Sequence, residues 1–121
     1  MTDSWAYLTT LTKNYRLTDM NSKAKGKRGE LEVAKILKEH GYDARRGQQF
    51  SGANGDPDVV GLPGVHIEVK FREHLNLYEA MVQSKGDALP GEIPVVVHRK
   101  SREKWLVTLD FERWLDMIDE G

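Results

Sequence analysis

The chain contains no cysteine, which rules out a disulfide framework, a thiolate zinc site and a cysteine nucleophile. It has no apolar run long enough to span a bilayer, and Met1 to Met20 lacks the apolar centre of a secretory signal, so the expected setting is cytoplasmic. Excess charge of one sign is missing as well: 18 Lys and Arg stand against 19 Asp and Glu. Proteins that coat nucleic acid through bulk electrostatics are usually strongly basic, which argues against that class. Repeats and low-complexity tracts are absent too. What remains is 121 residues with 39% hydrophobic content, enough for one domain with its own core.

Bases are nevertheless patterned. They gather as Lys23, Lys25, Lys27 and Arg28, as Arg45 and Arg46, and as Arg99, Lys100, Arg102 and Lys104 around a short turn. Each patch alone reads as a solvated face, and only convergence in space would make them a binding surface. Residues 1–21 read as an N-terminal extension: one short amphipathic helix through Trp5, Tyr7, Leu8 and Leu11, then a polar connection with Asn14, Thr18, Asp19 and Asn21. Met20 is a further start position to consider. Residues 22–121 read as the main domain.

From Ser22, a possible N-cap, to His40 the pattern is helical, with Gly41 placed as the left-handed residue after its end. At ~100° per residue the apolar side chains Leu31, Val33, Ala34, Ile36 and Leu37 point on average within roughly 20° of Glu30, with Glu32 and Glu39 on the wet side. A carboxylate in the middle of an apolar stripe costs several kcal/mol, of order, if unpaired. Either the buried part of the helix starts after Glu30, or Glu30 faces a cation or donor at the sheet edge.

Tyr42 to Arg46 then reads as a strand, and Gly47 to Gly55 as a loop whose backbone N–H groups, with Gln48, Gln49 and Ser51, could follow a phosphate backbone. A hairpin comes next. Pro57 pre-sets an extended start, Val59 and Val60 are β-branched, Leu62-Pro63-Gly64 supplies the turn, and Val65 to Phe71 alternates as a strand. That alternation puts His66, Glu68 and Lys70 on one face, and Val65, Ile67, Val69 and Phe71 on the other. Asp58 on the neighbouring strand adds a second acid. Carboxylates suit Mg²⁺ or Mn²⁺, whereas the lysine can orient a water and stabilise charge on a phosphate. An exposed Glu/Lys pair on a half-wet strand is the plainer alternative. The remaining elements are a helix over Leu75 to Ala88, a strand over Ile93 to His98, a returning strand over Trp105 to Thr108, and a last helix capped by Asp110. Phe111, Trp114, Leu115 and Ile118 of that helix are expected to pack in the core.

A helix glutamate in Gly26-Lys27-Arg28-Gly29-Glu30-Leu31-Glu32, then Pro57-Asp58, then Ile67-Glu68-Val69-Lys70, followed by Ile93-Pro94-Val95-Val96 and Trp105-Leu106-Val107, resembles the PD-(D/E)XK nuclease superfamily. Within it, the pattern is similar to the archaeal-type Holliday junction resolvases and related small phage-borne nucleases. The resemblance covers about four fifths of the chain. It implies an α/β, restriction-endonuclease-like core: a mixed central β-sheet of about five strands flanked by helices in the order α-β-β-β-α-β-β-α. It also implies an endonuclease in which Glu30, Asp58 and Glu68 arrange one or two Mg²⁺ ions, with Mn²⁺ able to substitute, and Lys70 positions the water. Lys27, Arg28, Arg45, Arg46, Gln49 and Ser51 are the expected DNA contacts, and Gln83 matches a supporting helix residue. The implied partners are branched or four-way DNA and a second copy of the chain, with no membrane.

Asp56 lies two residues before Asp58 and competes for its role; Asp58 is preferred because it follows the proline. Other readings stay open. A flap, nicking or restriction-like nuclease could use the same residues, and a DNA-binding or assembly module could keep the fold without cutting. A protein-interaction domain could dock through Trp5 and Tyr7. Of the histidines only His66 shares the site face; His40, His74 and His98 are scattered, and each is expected to be structural or exposed.

Overall fold

The computed structural model describes residues 4–48 and 56–121, with residues 4–21 as backbone. Among the described residues, three helices and five strands follow one another as α1 (Ser4–Glu39), β1 (Arg45–Arg46), β2 (Val59–Val60), β3 (Val65–Phe71), α2 (Leu77–Asp87), β4 (Ile93–Arg99), β5 (Leu106–Thr108) and α3 (Phe111–Glu120). The strands form one sheet in the order β1-β2-β3-β4-β5. Only β3 and β4 are parallel, and α2 is the crossover between them; the other pairs are antiparallel. The sheet is therefore mixed, as the restriction-endonuclease-like expectation requires.

Helix α1 runs unbroken over 36 residues, so the expected polar connection before Ser22 is not there and Ser22 lies inside the helix rather than capping it. Polar composition alone does not stop a helix, and no proline or glycine interrupts the chain between Ser4 and Lys25. Its end is the expected one: Gly41 has φ +94°, and Tyr42 N donates to Leu37 O at 3.0 Å. No helix among the described residues is long and apolar enough to cross a membrane.

The two sides of the sheet are covered differently. Val33 and Ala34 of α1 pack with Val59, Ile67, Val69 and Val95, while Ala80 and Met81 of α2 pack with Val96. Since Val95 and Val96 point to opposite faces of β4, α1 and α2 lie on opposite faces of the sheet. Gly29 allows α1 to come close, because a Cβ there would stand 3.1 Å from Phe71 Cβ and 3.2 Å from the Trp105 ring. Helix α2 starts at Asn76, whose side chain accepts from Glu79 N at 3.1 Å, and is tied to the sheet by Ser84 Oγ donating to Val95 O at 2.9 Å.

Two expectations about packing fail. Glu32 is not on a wet face: it accepts hydrogen bonds from Arg99 at 2.9 Å and from Trp105 Nε1 at 3.3 Å, binding α1 to the β4–β5 turn. Helix α3 buries none of its residues, and Phe111 and Trp114 are 70% and 44% exposed. The helix is amphipathic as expected, but the described residues do not cover its apolar face. Asp110 occupies the N-cap position without a side-chain capping bond, its carboxylate instead pairing with Lys85 at 2.7 Å.

Candidate active site

Glu68 and Lys70 sit on the face of β3 turned toward α2, because Glu68 pairs in register with Val96, which packs on that helix. The face is polar yet covered: His66 is 3% exposed and Glu68 4%. Lys70 reaches Gln83 on α2, donating from Nζ to Oε1 at 3.0 Å. Asp58 precedes β2, where Asp58 N donates to Ile67 O at 3.0 Å and its carboxylate accepts from Val69 N at 2.8 Å. Those two bonds clamp the acid against the strand that carries Glu68.

Asp56 turns the other way. Its carboxylate accepts from Gln48 N at 3.1 Å and pairs with Arg45 at 3.7 Å. Asp58, and not Asp56, lines the cavity of about 520 Å³ that also has Glu30, Glu68, Lys70 and Gln83 in its walls. Thus the side chains singled out on a helix, a hairpin and a second helix meet around one opening. Gly47 is part of this scaffold: a Cβ there would collide with Pro57 O at 1.8 Å, so only glycine lets the end of β1 lie against the Pro57-Asp58 segment.

Burial, with the nearby Asp58 charge adding to it, pushes the Glu68 carboxyl up to about 7, while the Lys70 ammonium pulls it down. Two neighbouring carboxylates, that of Glu68 buried and that of Asp58 partly so, concentrate negative charge at one place. An oxygen-seeking divalent cation fits that donor set, since it supplies the missing charge and accepts water for its remaining positions. Glu30 stands in the cavity wall with its carboxylate bound to Arg46 Nε, so this arginine, expected to touch DNA, is engaged with an acid.

The tightest ligand group is not the expected one. Among the described residues, the three side chains whose ligand atoms all lie within 4.8 Å of one another are His66, Glu68 and Asp87. Asp87 was not anticipated from the sequence. Its signal was its spacing, four residues after Gln83 and hence on the same face of α2.

The basic patches partly converge. Lys25 and Ser101 both bind the Glu73 carboxylate, at 2.8 and 2.9 Å, which fastens the β4–β5 turn beside α1. Those hydrogen bonds hold the Glu73 carboxyl down at about 2. A second cavity of about 570 Å³ is lined by Lys100, Arg102 and Lys104 of that turn, and Arg72 borders both cavities. Of the other expected contacts, Lys27 is exposed and Arg28 pairs with Glu32 at 2.9 Å. Gln49 and Ser51 lie outside the described residues.

With this geometry in place, comparison with protein families gives a match to the archaeal Holliday junction resolvases over residues 21–86, more than half of the chain. The chain belongs to that family. The matched stretch of this resolvase-family chain contains Glu30, Asp58, Glu68, Lys70 and Gln83, and stops one residue before Asp87, the end of α2. No curated protein and no solved structure matches the chain.

Proposed function

We propose that the protein is a metal-dependent endonuclease that hydrolyses phosphodiester bonds in branched DNA, a Holliday junction resolvase acting as a homodimer. The observation that carries this reading is the meeting of Glu30, Asp58, Glu68 and Lys70 around one open cavity. Residues 22–121 form the nuclease unit, with residues 1–21 as an extension, in keeping with a family match that starts at residue 21.

Asp58 and Glu68 would hold Mg²⁺, or Mn²⁺ in its place, with Glu30 across the cavity. When bound, the cation supplies positive charge to the phosphoryl oxygens of the scissile ester. The protein's own groups do the rest. Lys70, steadied by Gln83, directs its ammonium toward the cavity, where it orients the attacking water and stabilises charge as the ester opens. Arg46 fixes the Glu30 carboxylate in the wall. Arg72, shared by the two cavities, and the Lys100–Lys104 turn offer a cationic path for the phosphates flanking the cut. This local surplus explains how a chain of net charge −1 serves a polyanion.

The exposed apolar face of α3 and the edge strand β5, with Leu106 and Val107 each 59% exposed, are the surface we assign to the second copy. A Trp114→Asp protein then sediments as a monomer and loses paired cuts. The deciding assay is Mg²⁺-dependent cleavage of a synthetic four-way junction beside a flap and a linear duplex. Symmetric paired nicks in the junction support the resolvase reading; preferential cutting of the flap or duplex replaces it with another nuclease. Undiminished Mg²⁺-dependent cutting by purified Glu68→Ala or Lys70→Ala protein overturns the assignment of the site.

A further inference from the structure

His66 is the odd member of the polar face. It is buried in the sheet at 3% exposure, yet its Nε2 has no hydrogen-bond partner. A buried imidazole nitrogen with nothing to bind loses its hydration without compensation, so such an atom marks an unfilled bonding position. The other nitrogen, Nδ1, faces Glu92 Oε1 at 3.9 Å. Glu92 is itself held, since Oε1 also accepts from Leu89 N at 2.7 Å. A carboxylate on one side of the ring favours the proton at Nδ1 and leaves the lone pair at Nε2 for a ligand.

What lies near the ring is two acids. Ligand atoms of His66, Glu68 and Asp87 all stand within 4.8 Å of one another. Bonds of about 2.0–2.2 Å to imidazole nitrogen and carboxylate oxygen set ligand atoms of one cation roughly 3–4 Å apart, so small side-chain rotations close the group around an ion. Asp87 is the last residue of α2, and the carbonyl end of a helix also favours a cation.

We propose that His66, Glu68 and Asp87 form a second divalent-cation site that takes a transition metal, Mn²⁺ or Zn²⁺, in preference to Mg²⁺. Selectivity comes from the imidazole, a nitrogen donor that Mg²⁺ seldom uses. Glu68 is common to this site and to the Asp58 site, so the inference rests on the proposed function through that one carboxylate. The two cations then sit on either side of Glu68, and the metal that is present sets how many are bound.

The test uses the full chain and Mn²⁺ alone, with free Mn²⁺ counted by electron paramagnetic resonance. The wild-type protein binds two Mn²⁺ per chain; Asp87→Asn, a change at an exposed helix end, binds one, with the lost site weakened at least 10-fold. In the wild type, substoichiometric Mn²⁺ broadens the imidazole proton signals of His66 before those of His40 and His74. Mn²⁺ stoichiometry and affinity unchanged in Asp87→Asn, or broadening that spares His66, overturns the inference. The proposed function is judged separately by Asp58→Asn. Loss of Mg²⁺-dependent cutting there, together with unchanged Mn²⁺ binding in Asp87→Asn, leaves the nuclease and removes the second site.

Discussion

The two faces of β3 are both out of water and do opposite jobs. Toward α1 it presents Ile67 and Val69, which pack with Val33 and Ala34, and Phe71, whose ring meets Trp105 edge to face. Toward α2 it presents His66, Glu68 and Lys70, and the helix answers with Gln83, Ser84 and Asp87. The first face gains stability from burial; the second sacrifices some by keeping a carboxylate and an imidazole where hydration is poor. The difference teaches that the strand is held by one side so that the other side is free to remain chemically strained.

The hardest way to break this division is to remove the polar face's charges. Glu68→Ala or Lys70→Ala lowers cleavage by about 10³-fold or more, equivalent to ~4 kcal/mol of transition-state stabilisation, in a protein that folds and binds junction DNA. Single-turnover cleavage next to a gel-shift titration reads both quantities. The converse change is Ile67→Ala, at a residue only 2% exposed. It costs about 2–5 kcal/mol of stability by urea titration, while the folded fraction still cuts. If Ile67→Ala lost cutting without losing stability, or Glu68→Ala unfolded the protein, the two faces would not be separate.

The division was half legible from the sequence. Alternation from Val65 to Phe71 assigned side chains to faces, and the structure keeps every assignment. Helix existence was legible at α2, expected over Leu75 to Ala88 and found over Leu77–Asp87 behind an Asn76 cap that periodicity did not announce, whereas α1 extends through a polar segment that lacks any breaker. Periodicity names the apolar face of a helix and not what covers it, which is why α3 was expected in the core and lies outside it. Glu32 was misjudged for a similar reason, because its partner Arg99 is 67 residues away and no local pattern announces it. Asp87 was missed because its meaning depends on which strand α2 lies across.

Acid titration sharpens the comparison with a smaller effect. The Glu68 carboxyl is raised to about 7 against an ordinary 4.5, mainly by burial, so the folded state holds this proton more tightly than the unfolded chain does. The favourable contribution is complete below 4.5 and is lost as pH rises through 7. In EDTA, therefore, wild-type stability falls across that interval and Glu68→Gln flattens the fall. Mg²⁺ restores stability on the alkaline side, because it binds the ionised form. Equal pH slopes for the two proteins in EDTA would mean that Glu68 is not desolvated as described.

The mildest break is Gln83→Ala. Its Oε1 accepts a hydrogen bond from the Lys70 ammonium at 3.0 Å, and Gln83 is itself exposed at the cavity edge. Truncating an exposed side chain changes stability within about 0.5 kcal/mol, so folding is spared. Losing a hydrogen bond to a charged group costs about 1.5–3 kcal/mol where that bond is needed, and water replaces part of it here. The expected result is a fall in the single-turnover rate of about 10-fold with unchanged DNA affinity, and partial rescue by Gln83→Glu. A rate unchanged by Gln83→Ala would show that β3 alone positions Lys70, and that α2 merely roofs the polar face without tuning it.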